Sequence, residues 1–250
     1  MRTPVAFSRN LVTMLRAVRR FRTQVERIDP ANAPAVIDFL FSFAYEHYRV
    51  APYQVRSEVT ELYRRLRSLR PRAALEIGTA WGGTLFLATL ACPSRALIIS
   101  LDLPDGPYNV GGSSVWHARF MRLAFARAGQ RLVFIRGSSQ DRANVQAVSR
   151  LTEPFGGLDY CFIDGDHTYA GVKKDWETYG PMVKPGGVVA FHDILPHPKY
   201  PEVGVWQLWD EIASQERYPR AETIVADPQQ GWGAIGWVRQ HEAAGSSAGA

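Results

Sequence analysis

From residue 54 onward the chain alternates between two hydrophobic rhythms. Val55, Val59, Leu62, Leu66 and Leu69 recur at helical spacing, and Pro71 stops that helix. Ala73–Ile77 is then a short apolar run with strand character, followed by glycines and a second helix through Leu90. The pattern repeats along the chain. Ala96–Leu101, Arg131–Ile135, Leu158–Ile163 and Val188–Phe191 read as strands, the last launched by a turn at Pro185-Gly186-Gly187. Ser114–Ala128, Gln140–Leu151, about Ala170–Tyr179 and Val203–Ser214 read as helices, the last with Val205, Leu208, Trp209 and Ile212 on one face. Five strands alternating with helices predict an α/β fold with a doubly wound, mostly parallel sheet. Glu222–Val225 and Ala234–Arg239, joined by an Asp-Pro and Gly-rich turn, predict a C-terminal hairpin that adds one antiparallel strand. Residues 1–50 are helical and irregular, broken at Asp29-Pro30 and Ala51-Pro52. The expected division is an N-terminal helical extension over residues 1–52 (a cap or an oligomer contact), a main domain over 53–240, and a disordered tail over 241–250.

Composition narrows the class. A chain of 250 residues with 46% hydrophobic and 21% charged residues is an ordinary globule able to bury one large core. The net charge of +5 is concentrated early, where Arg2, Arg9, Arg16, Arg19, Arg20, Arg22 and Arg27 face only Glu26. That stretch reads as a solvated helix covering the main domain or a second copy of the chain, and no RNA-binding aromatic signature accompanies it. No nucleic-acid partner is expected. Cys92 and Cys161 have no metal spacing, and Cys161, inside an apolar run, reads as a core residue of a reduced, cytoplasmic protein. No apolar run is long enough for a membrane span, and the N-terminus has no compact apolar segment with a cleavage site.

The chemistry gathers at the ends of the strand runs, where open parallel sheets hold their ligands. The first strand leads into Glu76-Ile77-Gly78-Thr79-Ala80-Trp81-Gly82-Gly83. The loop lacks the GxGxxG of nicotinamide sites, and Glu76 would repel a pyrophosphate; an acid there suits a ligand that carries positive charge. Asp102, twenty-four residues after Gly78, stands where a carboxylate accepts hydrogen bonds from ribose hydroxyls. Gly137-Ser138-Ser139-Gln140 offers small polar groups to edge an adenine. Adenine, ribose and a cationic amino-acid portion together describe S-adenosylmethionine.

The segments ALEIGTAWGGTL, SLDLP, FIRGSSQD, CFIDGDHTYAGVKKDW and KPGGVVAFHDI resemble those of class I S-adenosylmethionine-dependent methyltransferases. More narrowly they resemble the branch that includes cephalosporin-hydroxylase-like, rhamnosyl and macrolide-sugar O-methyltransferases. The resemblance spans residues 54–240, and residues 1–50 have no recognisable match. It implies a Rossmann-like sheet of seven strands, with the methionine portion near Glu76, Gly78, Thr79 and Gly82, the ribose on Asp102 and the adenine at Ser138 and Ser139. It also implies a divalent metal, Mg²⁺ or Mn²⁺, on Asp164 and the pair His192-Asp193. His192 departs from the family's usual acid or amide there, and it is read alternatively as a substrate contact or an outer group.

Two carboxylates and an imidazole follow the fourth strand run at Asp164-Gly165-Asp166-His167. Transfer of a sulfonium methyl needs an aligned, deprotonated oxygen, so a metal or a base beside the acceptor hydroxyl is expected. His167, with an ordinary pKa near 6.5, is the expected base and Asp166 the alternative. The resemblance implies that Asp164 is the catalytic and metal-binding acid and also contacts the cofactor. Lys173, Lys174 and Asp175 read as a solvated helix face. Trp81, Tyr108, Trp116 and His117 are candidates for the acceptor wall, Trp206, Trp209 and Trp232 for packing, and His47, His197 and His241 have no companions in sequence. The expected activity is O-methylation of a small-molecule hydroxyl, on a sugar or natural product, by a homo-oligomer. The rivals are a nicotinamide-dependent oxidoreductase and a non-catalytic cofactor-binding scaffold. No pattern for an iron oxygenase is present.

Overall fold

The computed structural model describes residues 4–104, 115–215, 218, 221–224 and 231–240. The expected tail, Tyr108 and His241 lie outside the described residues, as does Val225 at the end of an expected strand. Helices α1 (Pro4–Val25) and α2 (Ala33–Ser42) precede a small hairpin of β1 (Ala44–Tyr45) and β2 (Tyr48–Arg49). The alternating region follows as α3 (Arg56–Leu69), β3 (Ala73–Ile77), α4 (Gly83–Ala91), β4 (Leu97–Asp102), α5 (Val115–Phe125), β5 (Arg131–Arg136), α6 (Arg142–Thr152), β6 (Leu158–Ile163), α7 (Tyr169–Tyr179) and β7 (Val183–Leu195). It closes with α8 (Val205–Ala213), β8 (Glu222–Ile224) and β9 (Gly233–Arg239).

Strands β3 to β9 form one sheet of seven in the order β5-β4-β3-β6-β7-β9-β8. The first five are mutually parallel, and β9 runs antiparallel between β7 and β8. The hairpin expectation therefore holds, with the later strand inserted inside the earlier one. Expected boundaries hold to within a few residues except at β7, which begins five residues before Val188. Between the β7 partners of Leu158 and Tyr160 the register slips, so Pro185-Gly186-Gly187 loops out within the strand rather than ending it.

Period-two alternation sends the strand side chains into two cores. Ala74, Ile98, Phe162, Val188 and Ile235 face one side, against α1 to α5. Leu75, Ile99, Cys161, Val189 and Val238 face the other, against α6, α7 and α8. The N-terminal helices share the first core. Phe21 of α1 is fully buried, with ring centroids of Phe39, Phe43, Phe86, Phe120 and Phe125 all between 5.0 and 5.7 Å away. Such aromatic contacts contribute beyond their buried area, so α1 and α2 are tied to the sheet layer through its own phenylalanines. Among the described residues no helix is long and apolar enough to cross a membrane.

Candidate active site

The strand order reverses beside β3, and the crevice opens at the carboxyl ends of β3, β4, β6 and β7. Backbone bonds pin these ends together. The Gly78 amide donates to the Leu101 carbonyl at 2.9 Å, and the Asp164 amide donates to the Ile77 carbonyl at 2.9 Å. Gly78 has φ +80°, and a Cβ there would lie 2.0 Å from the Asp164 carbonyl oxygen. Only glycine fits between the β3 and β6 ends. Thr79 Oγ1 lies 2.7 Å from Ser100 Oγ, which fixes the loop to β4. Gly82, at φ +83°, caps the start of α4 tightly against Met121 and Phe125 of α5.

Glu76 is buried at the end of β3, facing Thr79 and Thr84, and its Oε1 has no hydrogen-bond partner. Burial raises its pKa well above the ordinary carboxyl range; hydrogen bonds from Thr84 and Thr79 oppose this, and the charges of Asp164 and Asp102 add to it. A positive group in the crevice would relieve that cost. The Gly137 amide donates to the Asp102 carbonyl at 2.9 Å, bringing the Ser138-Ser139 turn beside Asp102. That turn is held from behind, with Asn144 Nδ2 on the Ser138 carbonyl at 2.9 Å and the Tyr179 hydroxyl on the Ser139 carbonyl at 2.6 Å.

A second group of side chains meets beyond β6 and β7. His167 Nδ1 is 2.7 Å from Asp193 Oδ2, and its Nε2 is 3.5 Å from Asp164 Oδ1. His192 Nδ1 lies 3.2 Å from Asp164 Oδ1 and 3.5 Å from Asp193 Oδ1, while its Nε2 is 3.8 Å from Glu58 Oε2. In a regular strand His192 and Asp193 would point to opposite faces. Here the β7–β9 register shifts after His192, and Asp193 takes φ +59°, so both reach the crevice. Burial lowers the pKa of His167, but the hydrogen bond to Asp193 and the charges of Asp164 and Asp193 outweigh it, and the net shift is upward. His192 is raised further: burial again opposes, and Asp164 and Asp193 dominate.

Residues 75–194 match the family described as "Methyltransferase domain". This part of the chain is a methyltransferase domain. An uncharacterized protein of Sinorhizobium fredii is 29% identical over 60% of the chain, which spans only 16% of that relative's length. An O-methyltransferase from Bacillus cereus, solved in complex with SAH, superposes with a TM-score of 0.53 at 18% identity, covering 90% of this chain and 97% of that one. The O-methyltransferase TomG from Streptomyces achromogenes, involved in tomaymycin synthesis and solved with SAM, gives 0.53 at 15% identity, covering 86% and 92%. The fold is that of the class I, S-adenosylmethionine-dependent methyltransferases.

Several residues of the methyltransferase domain sit otherwise than the sequence suggests. Asp166 is exposed and turned toward α7, its Oδ1 accepting from the Thr168 amide at 2.9 Å and the Thr168 hydroxyl at 2.8 Å. A Cβ on Gly171 would strike that carboxyl. Asp175, expected on a solvated face, is fully buried with neither carboxylate oxygen hydrogen-bonded, and burial pushes its pKa up to about 6. Lys173 of the same helix does pair at the surface, with Glu211 at 3.2 Å. His117 is buried beneath Trp81, and burial takes its pKa down to about 4. His197 does have companions, Tyr200 and Trp232, with ring centroids at 4.6 and 5.2 Å.

Two residues of the crevice come from outside the matched segment. Gln54 Nε2 donates to Asp164 Oδ2 at 2.5 Å, and Glu58, fully buried on α3, accepts from the Ala234 amide at 2.9 Å while facing His192. Glu58 was detectable in the sequence as an acid on the apolar stripe of Val55, Val59 and Leu62. Gln54 carries no such signal. The expected metal ligands Asp164, His192 and Asp193 meet, yet among the described residues no three His, Cys, Asp or Glu side chains form a shell able to hold a metal ion. The donors face one another instead: His192 Nδ1 lies between Asp164 Oδ1 and Asp193 Oδ1, and Asp193 Oδ2 is taken by His167. This arrangement does not fit a divalent ion.

Proposed function

We propose that the chain is an S-adenosylmethionine-dependent O-methyltransferase acting on a hydroxyl of a small molecule, a sugar or another natural product. The observation that carries the reading is the His167–Asp193 pair, 2.7 Å apart, at the same strand edge as the glycine loop. Glu76, Gly78, Thr79 and Gly82 would hold the methionine portion, Asp102 the ribose, and Ser138 and Ser139 the adenine. The unpartnered Glu76 Oε1 suits a cationic ligand. When bound, S-adenosylmethionine supplies an activated methyl on a sulfonium sulfur, which departs as a neutral thioether.

The residues of the chain then have to align an oxygen and remove its proton. Asp193 accepts from His167 Nδ1, which leaves the Nε2 lone pair free to act as a base. His167 Nε2 takes the hydroxyl proton as the new oxygen–carbon bond forms. Asp164, held by Gln54, orients that hydroxyl through Oδ1, an atom with no hydrogen bond of its own. His192, kept cationic by Asp164 and Asp193, balances the two carboxylates without a metal. Trp81, whose indole donates to the Tyr53 hydroxyl at 2.6 Å, and the His197-Tyr200-Trp232 group offer ring faces for a sugar or polycyclic acceptor.

Thermal-shift titration and transfer of labelled methyl groups to a panel of hydroxyl acceptors test this together. Stabilisation by S-adenosylhomocysteine but not NAD is expected, with turnover that survives EDTA. Stabilisation by NAD alone would overturn the reading, and binding with no turnover on any acceptor would leave a scaffold in its place. Loss of turnover in EDTA, restored by Mg²⁺ or Mn²⁺, would overturn only the metal-free assignment.

A further inference from the structure

A second cleft, of about 560 Å³, lies at the opposite edge of the sheet, below the amino ends of β3, β4 and β5. The length of β3, five residues, separates it from the crevice by roughly 17 Å at about 3.3 Å per residue. It runs between the end of α3, the end of α4 and the turn before β5, and three guanidinium groups border it: Arg67, Arg70 and Arg127. Among the described residues none of the three has a carboxylate within ion-pair distance. Nearby acids are occupied. Asp159 is held by Lys184 at 2.7 Å and by the amides of Arg72 and Ala73, and Asp29 accepts from the Ala31 amide.

Arginines often gather at helix carboxyl ends simply to satisfy carbonyls. That role is largely filled here by other groups. Gln130 Nε2 donates to the carbonyls of Thr89 at 2.8 Å and Cys92 at 3.0 Å, the Cys92 amide serves Ala88, and the Arg70 amide serves Leu66. Only Arg127 contributes, with one N–H on the Leu90 carbonyl at 3.2 Å. Arg70 also occupies a left-handed position, φ +50°, at the end of α3, where glycine avoids steric cost. Its side chain is therefore kept at the expense of local backbone comfort.

We propose that this cleft binds a phosphate-bearing small molecule carrying at least two negative charges. The volume falls within the range of small-ligand sites, and planar guanidinium groups bind phosphate oxygens bidentately. The cleft is independent of the methyl-transfer crevice.

Inorganic pyrophosphate titrated calorimetrically into the full chain at constant ionic strength is the direct test. One saturable site is expected, with affinity reduced at least tenfold in Arg67→Gln and in Arg70→Gly. Arg70→Gly removes the left-handed strain, so its melting temperature should equal or exceed that of the parent chain. S-adenosylhomocysteine should bind all three proteins alike. Phosphatidic acid vesicles form a second arm; binding there with the same sensitivity would place the phosphate on a lipid headgroup rather than a free molecule. No saturable pyrophosphate binding, or binding that both variants retain, would overturn the proposal. So would variant-sensitive binding to RNA or DNA alone.

Discussion

The two halves of the crevice are built by opposite means. The half at β3 and β4 is mostly backbone: glycines with positive φ, amides bonded across strand ends, and two acids, Glu76 and Asp102, at the strand ends. The half at β6 and β7 is mostly side chain, and Gln54, Glu58, Asp164, His167, His192 and Asp193 arrive there from three separate parts of the chain. A backbone cradle fixes where a ligand lies, and mutating it harms binding and fold together. A side-chain cluster governs protons, so it can be disabled while binding survives. The contrast predicts which measurements should separate the two halves.

The largest effect is expected at His167. His167→Ala should lower kcat by about 10²- to 10⁴-fold, the usual contribution of a positioned base, while S-adenosylhomocysteine affinity stays within about twofold. Because the folded His167 has its pKa raised, the neutral, proton-accepting ring is scarce in acid. The rate should therefore rise with pH through a midpoint above the ordinary value near 6.5. Asp193→Asn, which removes the partner that holds the proton on the ring, should move that midpoint down. A His167→Ala enzyme with full kcat would break the distinction between the halves.

Gly78→Ala should disturb the other half. Its methyl would lie 2.0 Å from the Asp164 carbonyl at a φ of +80°, so strain and overpacking together predict about 2–5 kcal/mol of destabilisation. Loss of S-adenosylhomocysteine binding should accompany the fall in melting temperature, measured on the same samples. Binding retained in a stable Gly78→Ala protein would mean that the strand ends yield more easily than their hydrogen bonds imply.

What the sequence disclosed follows the same contrast. Short apolar runs marked the five parallel strands, all but β7 to within a few residues, because buried strands and βα turns are local in their causes. The glycine loop, Asp102 and the run after β6 were legible for that reason. The joint approach of His192 and Asp193 to the crevice was implied only by the family resemblance, because it depends on a β-bulge and one left-handed residue at the end of β7. Gln54 was not legible, since its role exists only once the segment before α3 reaches Asp164 beyond β6. The burial of Asp175 was hidden by its charged neighbours, since Lys173 points outward to Glu211 while Asp175 turns under the strand end.

The smallest predicted effect concerns Asp166, and it tests how local the chemistry is. Its carboxyl sits within the same four-residue run as Asp164 and His167, and proximity in sequence made it the alternative base. In the fold it accepts from both the amide and hydroxyl of Thr168, whose own hydroxyl accepts from the Gly171 amide at 3.1 Å and so caps α7. Asp166 thus acts one step removed, by fixing the residue that caps the helix. Asp166→Ala should cost about 0.5–2 kcal/mol of stability, the usual range for losing a helix cap, and leave kcat within a fewfold of the parent. Denaturant unfolding and the methyl-transfer assay read the two quantities separately. A loss of kcat by a hundredfold or more at unchanged stability would transfer the base from His167 to Asp166. It would also mean that the exposed carboxyl swings toward the crevice when an acceptor is bound.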